Sequence, residues 1–326
     1  MKNILITSAG RRGELLTIWK RCALSNLGPD AKVFANDLNP SLSAACQLAD
    51  AYFEICRCSE PDYPAQVLDQ CLTNNIKLVI PTIDTELLAL AEARETFADA
   101  GVQVVVSDPD LIRQCRDKCR TAVLFESLSI RTPKILDPRC LTFPCFMKPK
   151  GGSCSQGIKA IPSADHLAPV DTRNPDNLFQ ELVPSHWLEY TVDLYYSRSG
   201  NLLKCIPRQR IEVRGGEISK GVTRKDKVLQ TLKKYIPTIN GARGVLTLQV
   251  FVDPDREQML GIEINPRFGG GYPISHAAGA NYPSMLIMEY LFDESLSYDE
   301  VWEDNLLMLR HDTMVASNNF EFSEIP

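Results

Sequence analysis

The sequence has 326 residues and a mass of 36.4 kDa. This length exceeds one ordinary domain, and we expect two domains with sizeable cores. Hydrophobic residues make up 44% and charged residues 23% of the chain, which excludes a disordered or collagen-like protein. The net charge of −6 gives no overall electrostatic reason to expect a nucleic acid or an anionic membrane as partner.

The first residues and the cysteines predict a cytoplasmic protein. The N-terminal segment has a short apolar run that passes directly into a turn, which is typical of a first strand and not of a signal peptide. No apolar stretch approaches the length of a membrane span. The 11 cysteines are scattered and lack clear His or Cys partners for a zinc site, so we expect reduced thiols.

Strand and helix patterns alternate over the first hundred residues. Five short apolar segments have the character of strands, and helical spacing separates them. The segments are 2–7, 33–35, 52–55, 78–80 and 102–106. Because strands joined by helical crossovers run parallel, we expect an open parallel sheet with helices on both faces. We assign this Rossmann-like α/β domain to residues 1–110.

Residues 111–326 show a different pattern. A helix is expected from Lys118 to Leu128, and two short strands, 145–147 and 158–161, then flank a glycine-rich loop and predict a hairpin. Beyond the hairpin, segments with period-two alternation predict antiparallel strands, interrupted by a helix at 227–235. The alternating segments are 188–196, 202–206, 245–252 and 259–264.

The strongest local signal is the set Gln249, Glu263 and Asn265. If their strands form a hairpin about the turn at 253–257, Gln249 lies directly across from Glu263, and Asn265 shares that face. Oxygen ligands with no His or Cys nearby favour a hard cation such as Mg²⁺. The polar, solvent-facing side of an ordinary hairpin explains the three residues equally well. Arg267 and the glycines after it add features that a phosphate site needs.

Two further stretches could bind a nucleotide. The glycine-rich loop can present backbone N–H groups to phosphates, and Lys148 at its base adds a charge, although a flexible linker has the same composition. The segments 179–183 and 189–193 combine apolar residues with spaced acids. This pattern suits either a ribose-binding pocket or an edge strand with solvated charges.

These motifs, in their order along the chain, resemble the ATP-grasp superfamily. The chain looks most like the branch related to the carbamoyl-phosphate synthase large subunit and to carboxylate-amine ligases. The matching motifs are Asp117-Lys118, 143–149 with its glycine-rich loop, Gln180-Glu181-Leu182-Val183, 189–193, Gln249 and 263–267. The resemblance implies a domain preceding the ATP-grasp over residues 1–110. It also implies an ATP-grasp domain over 111–326, with a lid subdomain at about 140–182 and an antiparallel-sheet subdomain.

The resemblance also implies roles for individual residues. The residues expected at the ATP phosphates are Lys118, Lys148, Gly151, Gly152, Ser153, Ser155 and Gly157. Those expected at the adenine are Glu181, Leu182 and Val183, and Glu189 is expected at the ribose. Gln249, Glu263 and Asn265 would bind one or two Mg²⁺ ions, for which Mn²⁺ can substitute. Arg267 would stabilise the transferring phosphoryl group.

Other charged residues are candidates for binding the substrate. Four basic residues lie in the β-rich half before the strand of Gln249, and they could bind a substrate carboxylate or decorate the surface. They are Arg208, Arg210, Arg214 and Lys220, of which we assign Arg208 and Lys220, with Arg267, to catalysis. Four residues near the ends of predicted strands could hold a polar substrate, although the two acids could equally cap a helix. They are Arg11, Arg12, Asp84 and Glu86.

The predicted activity is ATP- and Mg²⁺-dependent ligation of a small carboxylate to an amine through an acyl phosphate, releasing ADP and phosphate. A homodimer is one option for its assembly. The carbamoyl-phosphate synthase large subunit carries two ATP-grasp halves, and this chain has length for one, so we do not expect carbamoyl phosphate as product. Two alternatives stay open: a regulatory ATP-binding protein without turnover, and an NAD-dependent oxidoreductase, against which the missing Gly-x-Gly-x-x-Gly argues.

Overall fold

The computed structural model describes residues 2–151, 157–256 and 258–317 of the chain. Within these ranges the strands form a five-stranded parallel sheet, a small four-stranded sheet and a six-stranded antiparallel sheet. No helix in the same ranges is both long and apolar enough to cross a membrane.

The parallel sheet confirms the five strand–helix units predicted for the N-terminal region. Its strands are β1 (Asn3–Ile6), β2 (Val33–Asp37), β3 (Ala51–Glu54), β4 (Ile76–Ile80) and β5 (Gln103–Val104), in the spatial order β3-β2-β1-β4-β5. The helices between them are α1 (Gly13–Leu27), α2 (Ala44–Leu48), α3 (Tyr63–Thr73), α4 (Leu87–Glu92) and α5 (Arg94–Asp99). The strand order changes direction between β1 and β4, so the loops after these strands meet at one edge of the sheet.

Side chains of β1 alternate between two cores. Ile4 and Ile6 face a core that includes Trp19 of α1, whereas Leu5 faces the core on the other side of the sheet. The first core continues into the C-terminal half of the chain, where Phe268 lies edge-on to Trp19 with ring centroids 6.2 Å apart. This shared core fixes the loop after β1 against the C-terminal half.

Two helices follow the parallel sheet, α6 (Pro109–Arg116) and α7 (Lys118–Ser127). Asp108 directly precedes α6, but its side chain does not cap the helix, and its carboxylate instead accepts a hydrogen bond from Arg94 at 2.7 Å. Asp117 does cap α7, because its Oδ1 accepts from two backbone amides of the first turn. This cap holds Lys118 at the first position of α7.

The small sheet contains the predicted hairpin. Its strands are β6 (Ile135–Leu136), β7 (Cys145–Pro149), β8 (Lys159–Ile161) and β9 (Asn177–Glu181), in the order β6-β9-β7-β8, and α8 (Pro169–Arg173) precedes β9. β7 and β8 pair antiparallel with Cys145 opposite Ile161, which confirms the hairpin. Both residues lie in a small core beneath the sheet with Phe179.

The large sheet contains more strands than the sequence predicted. Its strands are β10 (Leu188–Tyr196), β11 (Leu202–Arg214), β12 (Glu217–Thr223), β13 (Gly244–Asp253), β14 (Gln258–Asn265) and β15 (Leu307–Leu309), in the order β14-β13-β10-β11-β12-β15. The helices of this region are α9 (Lys227–Tyr235), α10 (Tyr272–Ala277) and α11 (Tyr282–Leu291). β10 lies inside the sheet between β11 and β13, so the edge-strand interpretation of 189–193 is wrong.

Alternation along β10 gives the large sheet one apolar and one polar face. Tyr190, Val192 and Leu194 lie in a buried core that also holds Phe125 of α7. Thr191 and Asp193 point to the opposite face, which looks toward the loops after β1 and β4. The polar face therefore meets the N-terminal loops, and the space between them is the place for a site.

Close packing of α7 on the sheet should make Gly261 intolerant of a side chain. A Cβ built at this buried glycine would lie 2.6 Å from the ring of Phe125. We expect Gly261→Ala to lower the free energy of unfolding by about 1–3 kcal/mol, because overpacking displaces the helix or the strand. Urea denaturation measures the loss.

Gly151→Ala provides the control, since a Cβ at Gly151 would meet nothing within 4 Å. Its free energy of unfolding should change by less than about 0.5 kcal/mol. Equal losses in the two variants would contradict the packing explanation.

Candidate functional site

A cavity of about 360 Å³ lies between the polar face of the large sheet and the loops after β1 and β4. Residues 8–12 and 83–85 form the wall contributed by the N-terminal loops. The sheet contributes residues from the five strands β10 to β14, and Arg267 with the glycines at 269–271 closes a third side. Both halves of the chain are therefore needed to build the cavity.

Strand register brings polar side chains from four strands into one row on the cavity side. Thr191 pairs with Arg208 of β11 and with Gln249 of β13, and Gln249 pairs with Glu263 of β14. The last pair confirms the register predicted for this hairpin. Because directly opposed residues of antiparallel strands point to the same face, the four side chains form the floor of the cavity.

Glu263, Asn265 and Gln249 present oxygen atoms on this floor. Asn265 Nδ2 donates to Glu263 Oε1 at 2.9 Å, and Asn265 Oδ1 accepts from Arg267 Nη2 at 3.3 Å. One carboxylate and two amide groups make up the set, and it contains no imidazole or thiolate. This donor chemistry fits Mg²⁺, which prefers oxygen ligands and often shares them with substrate phosphates.

Arg267 lies where the sheet meets the N-terminal loops. Its Nη2 forms an ion pair with Asp84 Oδ2 at 2.7 Å, and its Nη1 donates to the carbonyl of Phe268 at 3.1 Å. Its Nε is buried and has no hydrogen-bond partner among the residues that the structure describes. The guanidinium lines the cavity beside Asn265, so its positive charge would stabilise an anion bound there.

Arg208 is held in place by a buried carboxylate. Its Nε lies 2.8 Å from Asp193 Oδ2, and the two side chains are 2% and 0% exposed. Ser275 Oγ donates to the same carboxylate oxygen at 2.5 Å, and the Tyr282 hydroxyl donates to the Asp193 carbonyl at 2.8 Å. The guanidinium of Arg208 is thus fixed at the cavity wall before any ligand binds.

The glycines after Arg267 allow this packing. A Cβ at Gly271 would lie 2.2 Å from Arg208 Nη1, and a Cβ at Gly270 would lie 2.8 Å from the carboxylate carbon of Glu217. The glycine run therefore makes room for charged side chains around the cavity, in addition to the close approach of a phosphate suggested by the sequence.

Lys118 and Lys148 approach Glu263 from α7 and from the small sheet. The Lys118 amide donates to the Lys150 carbonyl at 3.1 Å, and a second cavity of about 90 Å³ has Lys118, Glu263 and Asn265 in its lining. Burial, and after it the positive charge of Lys118, lower the pKa of Lys148 to about 8, with Glu263 opposing. Burial also lowers the pKa of Lys118.

The predicted lid residues lie on the connection between β7 and β8. Gly151 is exposed two positions after the end of β7, and Gly157 has a φ of +69° before β8. Gly152, Ser153 and Ser155 lie outside the described residues. The placement of a lid on this hairpin stays a prediction.

The residues predicted at the adenine and the ribose lie along the link between the small and large sheets. The Glu181 amide at the end of β9 donates to a loop carbonyl at 2.9 Å, and Leu182 and Val183 follow as partly exposed residues. Glu189 near the start of β10 lies 3.3 Å from Arg210 Nε. Burial raises the pKa of Glu189, and Arg210 opposes this effect.

Lys220 is not brought to the cavity. It lies opposite Glu212 in the β11–β12 pair, and its Nζ forms an ion pair with Glu212 Oε2 at 2.6 Å. The Lys220 side chain is 44% exposed. Of the three residues assigned to catalysis from the sequence, Arg208 and Arg267 line the cavity.

Glu86 supports the loops that form the N-terminal wall of the cavity. It is fully buried, and its Oε1 accepts from the backbone amides of Thr82 and Ile83 at 2.7 and 3.0 Å. Its Oε2 accepts from the Ser8 hydroxyl at 2.8 Å, so one carboxylate joins the loops after β1 and β4. Asp84, by contrast, lines the cavity.

The fold is similar to that of several solved enzymes. The biotin carboxylase domain of Hydrogenobacter thermophilus 2-oxoglutarate carboxylase, a dimer with MgADP, ADP and bicarbonate, matches with a TM-score of 0.70 at 16% identity, over 94% of this chain and 73% of that one. Staphylococcus aureus N5-carboxyaminoimidazole synthetase with ADP gives 0.71 at 13% identity, over 92% and 80%. Bacillus licheniformis L-amino acid ligase gives 0.67 at 16% identity, over 89% and 74%.

Two family models match the sequence. Residues 4–105 match the PylC-like N-terminal domain, and residues 173–309 match the model described as ATP-grasp in the biosynthetic pathway with Ter operon. An ATP-grasp family model thus matches the part of the chain that forms most of the large sheet, and the solved enzymes share the fold over most of the chain. No curated protein matches the sequence.

Two residues at this cavity had no individual role assigned from the sequence, Glu217 in its lining and Asp193 beneath it. The position of Asp193 could have been predicted, because it lies two residues after Thr191 in an alternating strand and so shares its face. No sequence pattern indicated the position of Glu217. It lines the cavity because two arginines distant in sequence hold it, Arg11 at 3.0 Å and Arg310 at 2.8 Å.

Removal of the buried charge beneath the cavity should strongly lower the stability of the protein. Asp193→Asn keeps the size of the side chain but leaves the Arg208 guanidinium buried without a compensating charge. We expect a loss of about 3–5 kcal/mol in the free energy of unfolding, measured by chemical denaturation.

Asp137→Asn is the matched control. Asp137 pairs with Arg139 at 2.6 Å, but both side chains are in contact with water, at 38% and 89% exposure. The free energy of unfolding of Asp137→Asn should stay close to that of the wild type. If the two variants were equally stable, the Asp193–Arg208 pair would not be the constraint that we describe.

Proposed function

We propose that the protein is an ATP- and Mg²⁺-dependent ligase that joins a small carboxylate to an amine through an acyl phosphate. The observation that carries the proposal is the cavity floor, where the oxygens of Glu263 and Asn265 lie beside Arg267. Phosphoryl transfer depends mainly on positioning and on neutralising charge, and this floor supplies groups for both. The similarity in fold to an L-amino acid ligase supports the same chemistry.

The nucleotide would lie between the small sheet and the large sheet. Lys118 and Lys148 would contact its phosphates, with the loop 151–157 above them. Glu181, Leu182 and Val183 would contact the adenine, and Glu189 the ribose. The position of the two lysines near Glu263 supports this orientation.

Gln249, Glu263 and Asn265 would hold the metal. When bound, Mg²⁺ would neutralise charge on the ATP phosphates. Arg267 would face the transferred phosphoryl group, because its guanidinium lines the cavity beside Asn265. Asp84 would keep this guanidinium in place through their 2.7 Å ion pair.

The reaction would proceed in two steps. A carboxylate oxygen of the acid attacks the γ-phosphorus of ATP, the bond to the bridging oxygen breaks, and ADP leaves. The amine nitrogen then attacks the acyl carbon, phosphate leaves, and the nitrogen loses a proton. Since water also attacks acyl phosphates, closure of the β7–β8 hairpin over the cavity would protect the intermediate.

Small molecules are the substrates that this cavity suits. Its volume of about 360 Å³ falls at the lower end of the range typical of ligand pockets. The identities of the acid and the amine are not needed to test the reaction, because hydroxylamine converts acyl phosphates to hydroxamates. A homodimer stays a prediction.

The decisive variant is Glu263→Gln. We expect a panel of small acids to include one that stimulates ADP release from ATP with Mg²⁺ and forms a hydroxamate with hydroxylamine. In Glu263→Gln the rate should fall by about 100-fold, because the only carboxylate of the proposed metal set is lost. Nucleotide binding and thermal unfolding are measured alongside the rate.

Glu126→Gln on the exposed side of α7 makes the same chemical change away from the cavity and should keep full activity. If the wild type binds ATP but no acid stimulates ADP release, the result would favour a regulatory ATP-binding protein. If NADH binds more tightly than ATP with Mg²⁺, the oxidoreductase alternative would gain support.

Nucleotide affinity should depend on pH through Lys148. The pKa of Lys148 is about 8 without nucleotide, and bound phosphates would raise it. Above pH 8 the free protein therefore binds fewer protons than the complex, so ATP affinity should fall by about tenfold from pH 7 to pH 9. Calorimetric titration at the two pH values measures the change.

Lys148→Arg should remove most of this pH dependence, because arginine stays protonated throughout the range. An unchanged wild-type affinity at pH 9 would contradict contact between Lys148 and the phosphates.

A further inference from the structure

The charges that line the larger cavity are unequal in number. Five arginines and three carboxylates contribute to its walls. They are Arg11, Arg12, Arg208, Arg210 and Arg267, with Asp84, Glu217 and Glu263. Because carboxylates outside the lining can also pair with these arginines, the ion pairs decide which guanidinium is left for a negatively charged ligand.

Four of the five arginines already have a carboxylate partner. The pairs are Arg11–Glu217 at 3.0 Å, Arg208–Asp193 at 2.8 Å, Arg210–Glu189 at 3.3 Å and Arg267–Asp84 at 2.7 Å. Glu217 and Asp84 also attract Arg12 at longer range. Since each is in contact with another arginine, neither neutralises Arg12 directly.

Arg12 makes no ion pair within the described part of the chain. Its Nη1 donates to the neutral carbonyl of Phe268 at 3.2 Å, and the side chain is half-buried. Burial, and after it the positive charge of Arg267, lower the pKa of Arg12 to about 10. A half-buried cation beside a second cation is stabilised when an anion binds between them.

Neither of the two proposed nucleotide lysines lines the larger cavity, where Arg12 lies. Lys118 lines the smaller cavity, which shares Glu263 and Asn265 with the larger one, and Arg12 is absent from that smaller cavity. Phosphates held by the lysines would therefore leave Arg12 available to a different anion. α1 begins at Gly13, directly after Arg12, and the N-terminus of this helix also favours negative charge.

We propose that the acid substrate is a small dicarboxylate, with one carboxylate at Arg267 for phosphorylation and the other bound by Arg12. This inference rests on the ligase activity proposed above. A guanidinium binds a carboxylate through two parallel hydrogen bonds and keeps its charge when half-buried, so Arg12 is suited to recognise the carboxylate that does not react.

Matched acids test this assignment. Glutamate, aspartate, succinate and glutarate are compared with their monoamides glutamine, asparagine, succinamate and glutaramate, using ATP, Mg²⁺ and hydroxylamine. We expect the wild type to convert at least one dicarboxylate to a hydroxamate with a kcat/KM about 10- to 150-fold above that of its monoamide.

Arg12→Gln should remove this preference by raising KM for the dicarboxylate while leaving KM for ATP unchanged. Arg12→Lys should restore part of it, because the charge is kept and the two-donor geometry is lost. Arg21→Gln, at an exposed position on α1, removes one arginine charge outside the cavity and should behave as the wild type.

Three results would overturn the inference: equal use of monoamides, an unchanged preference in Arg12→Gln, or a rise in KM for ATP in place of KM for the acid. If no acid supports ADP release, the ligase proposal fails, and calorimetry with the same acids and a non-hydrolysable ATP analogue decides the role of Arg12. Dicarboxylate binding that weakens in Arg12→Gln supports the role, and absence of binding overturns it.

Discussion

The buried carboxylate of Asp193 is the constraint on which the site depends. A fully buried charge is tolerated only with a compensating charge and good hydrogen bonds, and Arg208 and Ser275 supply them from β11 and α10. The Tyr282 hydroxyl adds a bond to the Asp193 backbone from α11. The same requirement explains Gly271, where any side chain would displace the Arg208 guanidinium. One charge inside β10 thus fixes the large sheet against the helices that follow it.

The cavity also depends on a core that both halves of the chain share. Trp19 of α1 and Phe268 after β14 lie in one buried cluster, and Phe268 directly follows Arg267. The carbonyl of Phe268 accepts from both Arg12 and Arg267. Packing of the core therefore sets the separation of the two guanidinium groups, and a change in this core would alter the cavity without touching a charged residue.

The parts of the fold that could be predicted from the sequence are those where apolar and polar residues alternate regularly. The parallel sheet and the Gln249–Glu263 register follow from alternation and turn position, and the structure confirms both. β12 was missed because its Ser, Lys, Gly and Thr residues do not alternate clearly with apolar ones. The burial of Asp193 and the distance of Lys220 from the cavity depend on which strands are neighbours, and one sequence does not fix that order.

The proposed nucleotide and acid sites differ in the chemistry of their cations. Lysines lie at the proposed nucleotide side, where burial and mutual repulsion bring the pKa of Lys148 to about 8. Arginines lie at the proposed acid side, where even the half-buried Arg12 keeps a pKa of about 10. Changes of pH near neutrality would therefore affect nucleotide binding before acid binding. Because an arginine remains charged when its partner leaves, the acid side would stay ready for a carboxylate through each cycle of nucleotide exchange.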